Sequence, residues 1–151
     1  MSLNDDISFM KLALEEAEDA SHAGEVPVGA VLVRDGRVIA KAHNLRETSN
    51  DPTGHAEILV LRAGAEGVTK WRLTDATLYV TKEPCIMCAG AMLNARLGRL
   101  VYGCRDEKGG GVDSLYHLLA DKRLNHQVEV MSDILEKECA EILIQFFQER
   151  R

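Results

Sequence analysis

"ATLYVTKEPCIMCAGAMLNAR", residues 76–96, decides how the chain is built. Its first part, Ala76 to Glu83, is rich in β-branched and apolar residues and reads as a strand. Pro84 stands at a helix entrance, where a missing N–H leaves no bond unmade. Cys85 to Arg96 then continues in small and apolar residues as a helix. "RLVYGC", residues 99–104, supplies the next strand, so the three segments form a βαβ unit with parallel strands.

Upstream, "VGAVLVRDGRVIAKAHN", residues 28–44, gives two β-rich runs around Asp35-Gly36, the strongest short hairpin signal in the chain. Before it, Asn4 to Ala23 reads as a helix, with Ile7, Met10, Leu14 and Ala17 at helical spacing. Asn4 or Asp5 would cap it and Gly24 would stop it. "HAEILVLRAGAEG" predicts a second helix starting near His55. Past "RLVYGC", a turn is expected at Gly109-Gly110-Gly111, a short helix in "SLYHLLAD", a short strand in "QVEVM" and a terminal helix capped by Asp133. The order α-β-β-α-β-α-β-α-β-α predicts an α/β fold of three α/β/α layers. Its mixed sheet of about five strands is flanked by helices, in one domain spanning residues 1–151.

Apolar residues make up 46% of the chain and charged ones 28%, an ordinary balance for a globular protein. No run approaches the length of a membrane span, so no membrane partner is expected. The N-terminal "MSLNDDISFMKLALEEAED" carries acids where a signal peptide needs apolar residues, which makes the cytoplasm the default location. A net charge of −6 counts against a broadly nucleic-acid-binding surface and favours a small-molecule substrate. It leaves room for a local basic patch.

Cysteines in such a chain are read first as thiols or metal ligands. Cys85 and Cys88, three apart at a helix start, suit a redox couple, half of a structural zinc site or half of a catalytic one. No second Cys-x-x-Cys exists, and Cys104 and Cys139 read as buried, inert thiols. His22, His43, His117 and His126 read as surface or hydrogen-bonded histidines.

Upstream stands His55-Ala56-Glu57, and together with Pro84-Cys85-x-x-Cys88 it resembles the signature of the zinc-dependent nucleobase deaminases. The resemblance implies His55, Cys85 and Cys88 as ligands of one zinc ion per subunit, with the fourth position open for water. The i, i+3 spacing puts Cys85 and Cys88 on one helix face, and helix N-termini favour thiolate. Zinc makes hydroxide available near neutral pH, and Glu57 would shuttle protons to a ring nitrogen and then to the departing amine.

The ligand motif alone does not choose among free bases, nucleosides and bases within nucleic acid. Segments outside it do, by likeness: "EVPVGAVLV", "DPTGHAEILVLR", "ARLGRLVYGCRDEKGG", "NHQVEV" and "ILEKECAEILIQFFQERR" resemble the bacterial tRNA-specific adenosine deaminases. The likeness runs from Glu25 to Arg150. It implies a cytidine deaminase-like fold, a homodimer, and conversion of the wobble adenosine of an arginine tRNA anticodon to inosine. Asn44 matches a position that hydrogen-bonds the flipped-out base, and Pro27 and Val28 match apolar walls of its pocket. Asp106 and Lys108 match a loop that contacts the anticodon strand. Adjacent helix residues point about 100° apart, so Phe146 and Phe147 cannot easily face one core, and the resemblance implies an aromatic here against nucleotides near the target.

Bland readings stand beside these: a turn asparagine at Asn44, a solvated charged turn at Asp106 and Lys108, and core residues at Phe146 and Phe147. Lys122-Arg123 and Arg150-Arg151 would add phosphate contacts. Three features depart from the family. Lys82 stands where many relatives carry an apolar residue, and is expected to be exposed without consequence. Cys104 replaces a small residue, and the chain ends at Arg151 without the basic extension some relatives carry. The same-fold alternative is a free guanine or cytosine deaminase, or a nucleoside deaminase, which needs neither an exposed aromatic nor a basic loop.

Overall fold

Ser2 caps the first helix, not Asn4 or Asp5. Its hydroxyl accepts from the Asp5 amide, and the Asp5 carboxylate accepts from the Ser2 amide, both at 3.2 Å. This computed structural model describes residues 2–150, and helix α1 spans Leu3–His22. Gly24 follows with φ +79, the left-handed conformation that ends a helix at little cost for glycine.

The sheet has five strands: β1 Gly29–Arg34, β2 Arg37–His43, β3 Ala76–Lys82, β4 Arg99–Cys104 and β5 Glu129–Met131, in the order β2-β1-β3-β4-β5. β1 runs antiparallel to both β2 and β3, while β3, β4 and β5 are parallel. The sheet is therefore mixed, as the sequence predicts. Asp35 at φ 53 and Gly36 at φ 74 put positive φ at both central residues of the hairpin turn, which matches the twist of the strands it joins.

Alternation along the strands separates two cores. Leu32, Leu78, Val80, Leu100 and Tyr102 face Val60 and Leu61 of α2 (Ala56–Val68) and Met92 of α3 (Ile86–Asn94). Val31, Val33, Tyr79 and Val101 face the other way, onto Met10 and Ala13 of α1 and Cys139 of α4 (Glu136–Gln148). Helices on both faces give the three-layer α/β/α arrangement. Gly29 marks how closely α1 approaches, since a Cβ there would lie 2.0 Å from the Ala13 carbonyl oxygen. Buried Asp6 on α1 ties that helix down: it accepts two bonds from Arg99 at 2.9 and 2.8 Å, and one from the Tyr79 hydroxyl at 2.6 Å.

Two elements differ from expectation. The helix predicted in "SLYHLLAD" contracts to a single 3-10 turn, Leu118–Ala120. The amides of Val112, Asp113 and Ser114 are drawn to the Glu83 carboxylate, and the loop before the turn is shaped by that anchor. The last helix begins at Glu136 and Asp133 does not cap it. Asp133 (φ 65) and Leu135 (φ 54) lie in the left-handed region, and Asp133 faces Arg105 at 3.8 Å.

Candidate metal centre and its pocket

β3 and α2 deliver the site. His55 is the N-cap residue of α2 and Cys85 that of α3, both with extended backbone, and neither side chain caps its own helix. Both are free to turn inward, toward each other. His55 Nδ1 lies 3.6 Å from Cys85 Sγ and 3.5 Å from Cys88 Sγ. The three donor atoms lie within 4.8 Å of one another. Tetrahedral zinc, with nitrogen at about 2.05 Å and sulfur at about 2.3 Å, sets such a pair about 3.6 Å apart. These three side chains therefore already hold the spacing of a shared ion's ligands.

The three groups also set one another's protonation. The hydrogen bond from Cys88, then the one from His55, pulls Cys85 down to about 3. Cys88 is pushed far up by its hydrogen bond with Cys85 and by burial. His55 is raised by its hydrogen bond to Cys85. Cys85 is thus the thiolate of the three, and a dication bound here would displace the protons that Cys88 and His55 hold. Two sulfurs and an imidazole suit zinc.

Glu57 lies in the first turn of α2 and is 4% exposed; burial raises its pKa. It borders a cavity of about 280 Å³ together with His55 and Cys85. Cys88 is fully buried behind it.

Of the other predicted residues, Val28, Asn44, Asp106 and Phe147 line this cavity. Pro27, Lys108 and Phe146 do not: Pro27 is buried beside Val28, Lys108 is exposed, and Phe146 is buried in the packing of α4. Asn44 is both a turn residue and a pocket residue. Its side chain donates to the Val26 carbonyl at 3.3 Å and accepts from the Arg46 amide at 3.1 Å, and the residue lines the cavity. Asp106 likewise shapes its turn, accepting from the Lys108 and Gly109 amides at 3.2 Å each.

Val26, Arg46, Lys82 and Glu83 also line the cavity and were not singled out as site residues by the sequence. Lys82 corrects an expectation: it is not a bystander at the surface but a half-buried pocket residue, paired with Asp106 at 3.2 Å. Nearness to Asn44 was the available signal for Arg46. Two buried carboxylates hold the walls. Glu25 takes the amides of Glu47 and Thr48 and the Thr48 hydroxyl, and Glu83 anchors the loop beyond β4.

The basic residues proposed for phosphate contact are partly occupied. Arg123 pairs with Asp121 at 2.7 Å, and Arg150 lies 3.5 Å from the Phe146 ring centroid; Arg151 falls outside the described residues. Cys104 and Cys139 are buried, and burial pushes them up to about 11 and about 12.

Residues 3–151 match the family model of MafB19-like deaminases. Over 99% of its length the chain is 50% identical to a tRNA-specific adenosine deaminase of Bacillus subtilis, covering 92% of that relative. A solved structure from studies of A-to-I editing by tRNA:A34 deaminases at the wobble position of transfer RNA is also 50% identical. It superposes with a TM-score of 0.87, covering 90% of this chain and 99% of that one. A guanine deaminase of Bacillus subtilis is 40% identical with a TM-score of 0.62, over 65% of this chain and 63% of its own.

Proposed function

The chain belongs to the family of tRNA-specific adenosine deaminases, and from that premise we propose that it converts the wobble adenosine of an arginine tRNA anticodon to inosine. Water is consumed and ammonia released. The observation that carries this reading is the convergence of His55, Cys85 and Cys88 beside buried Glu57 in one cavity.

His55, Cys85 and Cys88 would hold one zinc ion per subunit, which when bound makes water nucleophilic near neutral pH. Glu57 takes one proton from the attacking water and gives it to the adjacent ring nitrogen. It then takes the remaining proton of the added hydroxyl and passes it to the amine, so that the C–N bond breaks, ammonia leaves and a carbonyl remains. Its burial suits that cycle, because a raised pKa lets the carboxyl hold a proton between transfers. The Asn44 amide reads the purine edge while Val28 packs against the ring, with Pro27 fixing the backbone behind it. Outside, Phe147 stacks on a neighbouring base, and Asp106 and Lys108 shape the loop against the anticodon strand. Phe146 serves the core.

Entry into this cavity requires an unstacked base, which a single-stranded anticodon loop supplies at lowest cost. We assign the working form to a homodimer in the cytoplasm, packed through the small residues of α3. Among the described residues no helix is long and apolar enough to cross a membrane.

Free-base deamination, on guanine or cytosine, is the second reading, favoured by the likeness to guanine deaminase. Exposed Phe147 at the cavity has no task in it. The test is inosine formation by zinc-loaded protein on an anticodon stem-loop, beside free adenosine, guanine and cytidine, with Glu57→Ala as control. Inosine in the stem-loop alone, lost in the control, supports tRNA editing. Turnover of a free base with an untouched stem-loop overturns it.

A further inference from the structure

Lys82 ends β3, and its ammonium lies 3.2 Å from Oδ2 of Asp106, in the loop after β4. The cavity they line has a buried floor, where Asn44 and Glu57 lie, and an outer part bordered by solvent-exposed Arg46 and Phe147 and half-exposed Lys82 and Asp106. The base occupies the floor, so the sugar and its phosphates must pass the outer part.

Asp106 does not need Lys82 to hold its place. Its other carboxylate oxygen accepts two backbone amides, and its own amide donates to Glu83 at 3.1 Å. What Lys82 adds is charge and donors. An ammonium has three N–H groups, and Asp106 engages it through one contact. Around the outer part, Arg46 and Lys82 carry positive charge and Asp106 negative, while Glu83 is buried under its own donors; without Lys82 the positive excess is lost. In a chain of net charge −6, Lys82 thus gives the cavity mouth a local positive excess where a polyanion would approach.

We propose that Lys82 is a specificity-determining residue that binds the phosphodiester flanking the target nucleotide, and so selects a nucleotide within a chain over the free nucleoside. The inference rests on the tRNA reading above. Lys82 acts as a point charge, with two donors turned to phosphate oxygens while the third keeps Asp106.

The experiment measures kcat and KM on the anticodon stem-loop across a range of salt for the unaltered protein, Lys82→Met, Lys82→Gln and Lys82→Arg. Each substitution is repeated with Asp106→Asn. In Lys82→Met and Lys82→Gln, KM rises about fivefold at low salt, and the salt slope of log kcat/KM shallows by about 0.7, as expected for one lost single-strand phosphate contact. Lys82→Arg restores most of both. The loss persists beside Asp106→Asn. An unchanged KM and slope overturns the inference, as does a loss that disappears once Asp106 is neutral, since Lys82 would then act only through its carboxylate partner. No inosine from the unaltered protein overturns the tRNA reading and this inference together; turnover insensitive to Lys82 overturns this inference alone.

Discussion

Glu83 and Ser114 meet twice: the Ser114 amide donates to one carboxylate oxygen at 3.0 Å, and its hydroxyl donates to the other at 2.5 Å. The same carboxylate accepts from the amides of Asp106, Val112 and Asp113. Every partner donates, so an isosteric amide cannot replace the acid: its NH₂ would face N–H groups. Gly110 packs so closely that a Cβ would fall 2.3 Å from the Glu83 carboxyl carbon, which leaves no room for the loop to shift. Glu83→Gln should therefore cost about 2–4 kcal/mol of stability and loosen the loop that carries Asp106. Thermal unfolding checks it; a melting temperature equal to the parent's would remove the anchoring role.

Metal removal tests the triangle of His55, Cys85 and Cys88. A chelator should abolish deamination and lower the melting temperature, and added zinc should restore both. Cobalt(II) in zinc's place should give an intense near-ultraviolet band from thiolate coordination. Cys88→Ala should weaken that band and reduce bound metal well below about one ion per chain. Full activity after exhaustive chelation would exclude a metal role for these side chains.

Glu57→Gln separates chemistry from architecture. Burial raises the carboxyl's pKa, so the neutral amide relieves a desolvation penalty in the folded state. The expected result is a kcat lower by about 10²–10⁴-fold with metal content retained and no loss of melting temperature. A variant that unfolds more easily, or retains its turnover, would make Glu57 structural.

What could be read from the chain followed from local chemistry. Asp35-Gly36 announced the hairpin because few other residue pairs accept two positive φ angles. His55 and Cys85 were legible through the deaminase signature they resemble, and their places at helix starts are consistent with it. Lys82 was not legible as a pocket residue. Its place depends on the parallel register that sets it opposite Cys104 and so brings Asp106, just past the end of β4, beside it. Glu25 and Glu83 were missed for a related reason, since their donors lie more than twenty residues further along the chain. Asp133 misled because an acid before a helix usually caps it, whereas here the backbone at Asp133 and Leu135 turns left-handed first.

Phe146 and Phe147 should divide stability from recognition. Their rings meet edge to face at 5.4 Å, yet Phe146 is 4% exposed and Phe147 49%. Phe146→Ala should destabilise by about 3 kcal/mol. Phe147→Ala should leave the melting temperature near the parent's and raise KM for the stem-loop, because only Phe147 borders the cavity. Chemical denaturation and RNA kinetics on both variants check the division; equal stability losses would refute it.

Acid should release α1 from the sheet through Asp6. Burial alone would raise this carboxyl, but the hydrogen bonds from Arg99 and Tyr79, with the Arg99 charge, outweigh it and hold the pKa below the ordinary value of 3.8. A depressed folded-state pKa means that the unfolded chain takes up the proton first. The stabilisation is therefore complete above about pH 5 and fades as pH falls through the folded value. Glu25 and Glu83 are depressed in the same direction against burial, by donors from Thr48 and Glu47 and from Ser114, Asp113 and Asp106. Urea unfolding from about pH 7 to about pH 3 should show stability declining on the acid side. Asp6→Asn should be the less stable protein at neutral pH, because Arg99 loses its buried carboxylate partner and is left with exposed Glu129, at 3.1 Å, as its anionic neighbour among the described residues. The gap between variant and parent should narrow as the parent's Asp6 protonates. A gap that stays constant down to about pH 3 would show that the Asp6 charge contributes nothing to holding α1 in place.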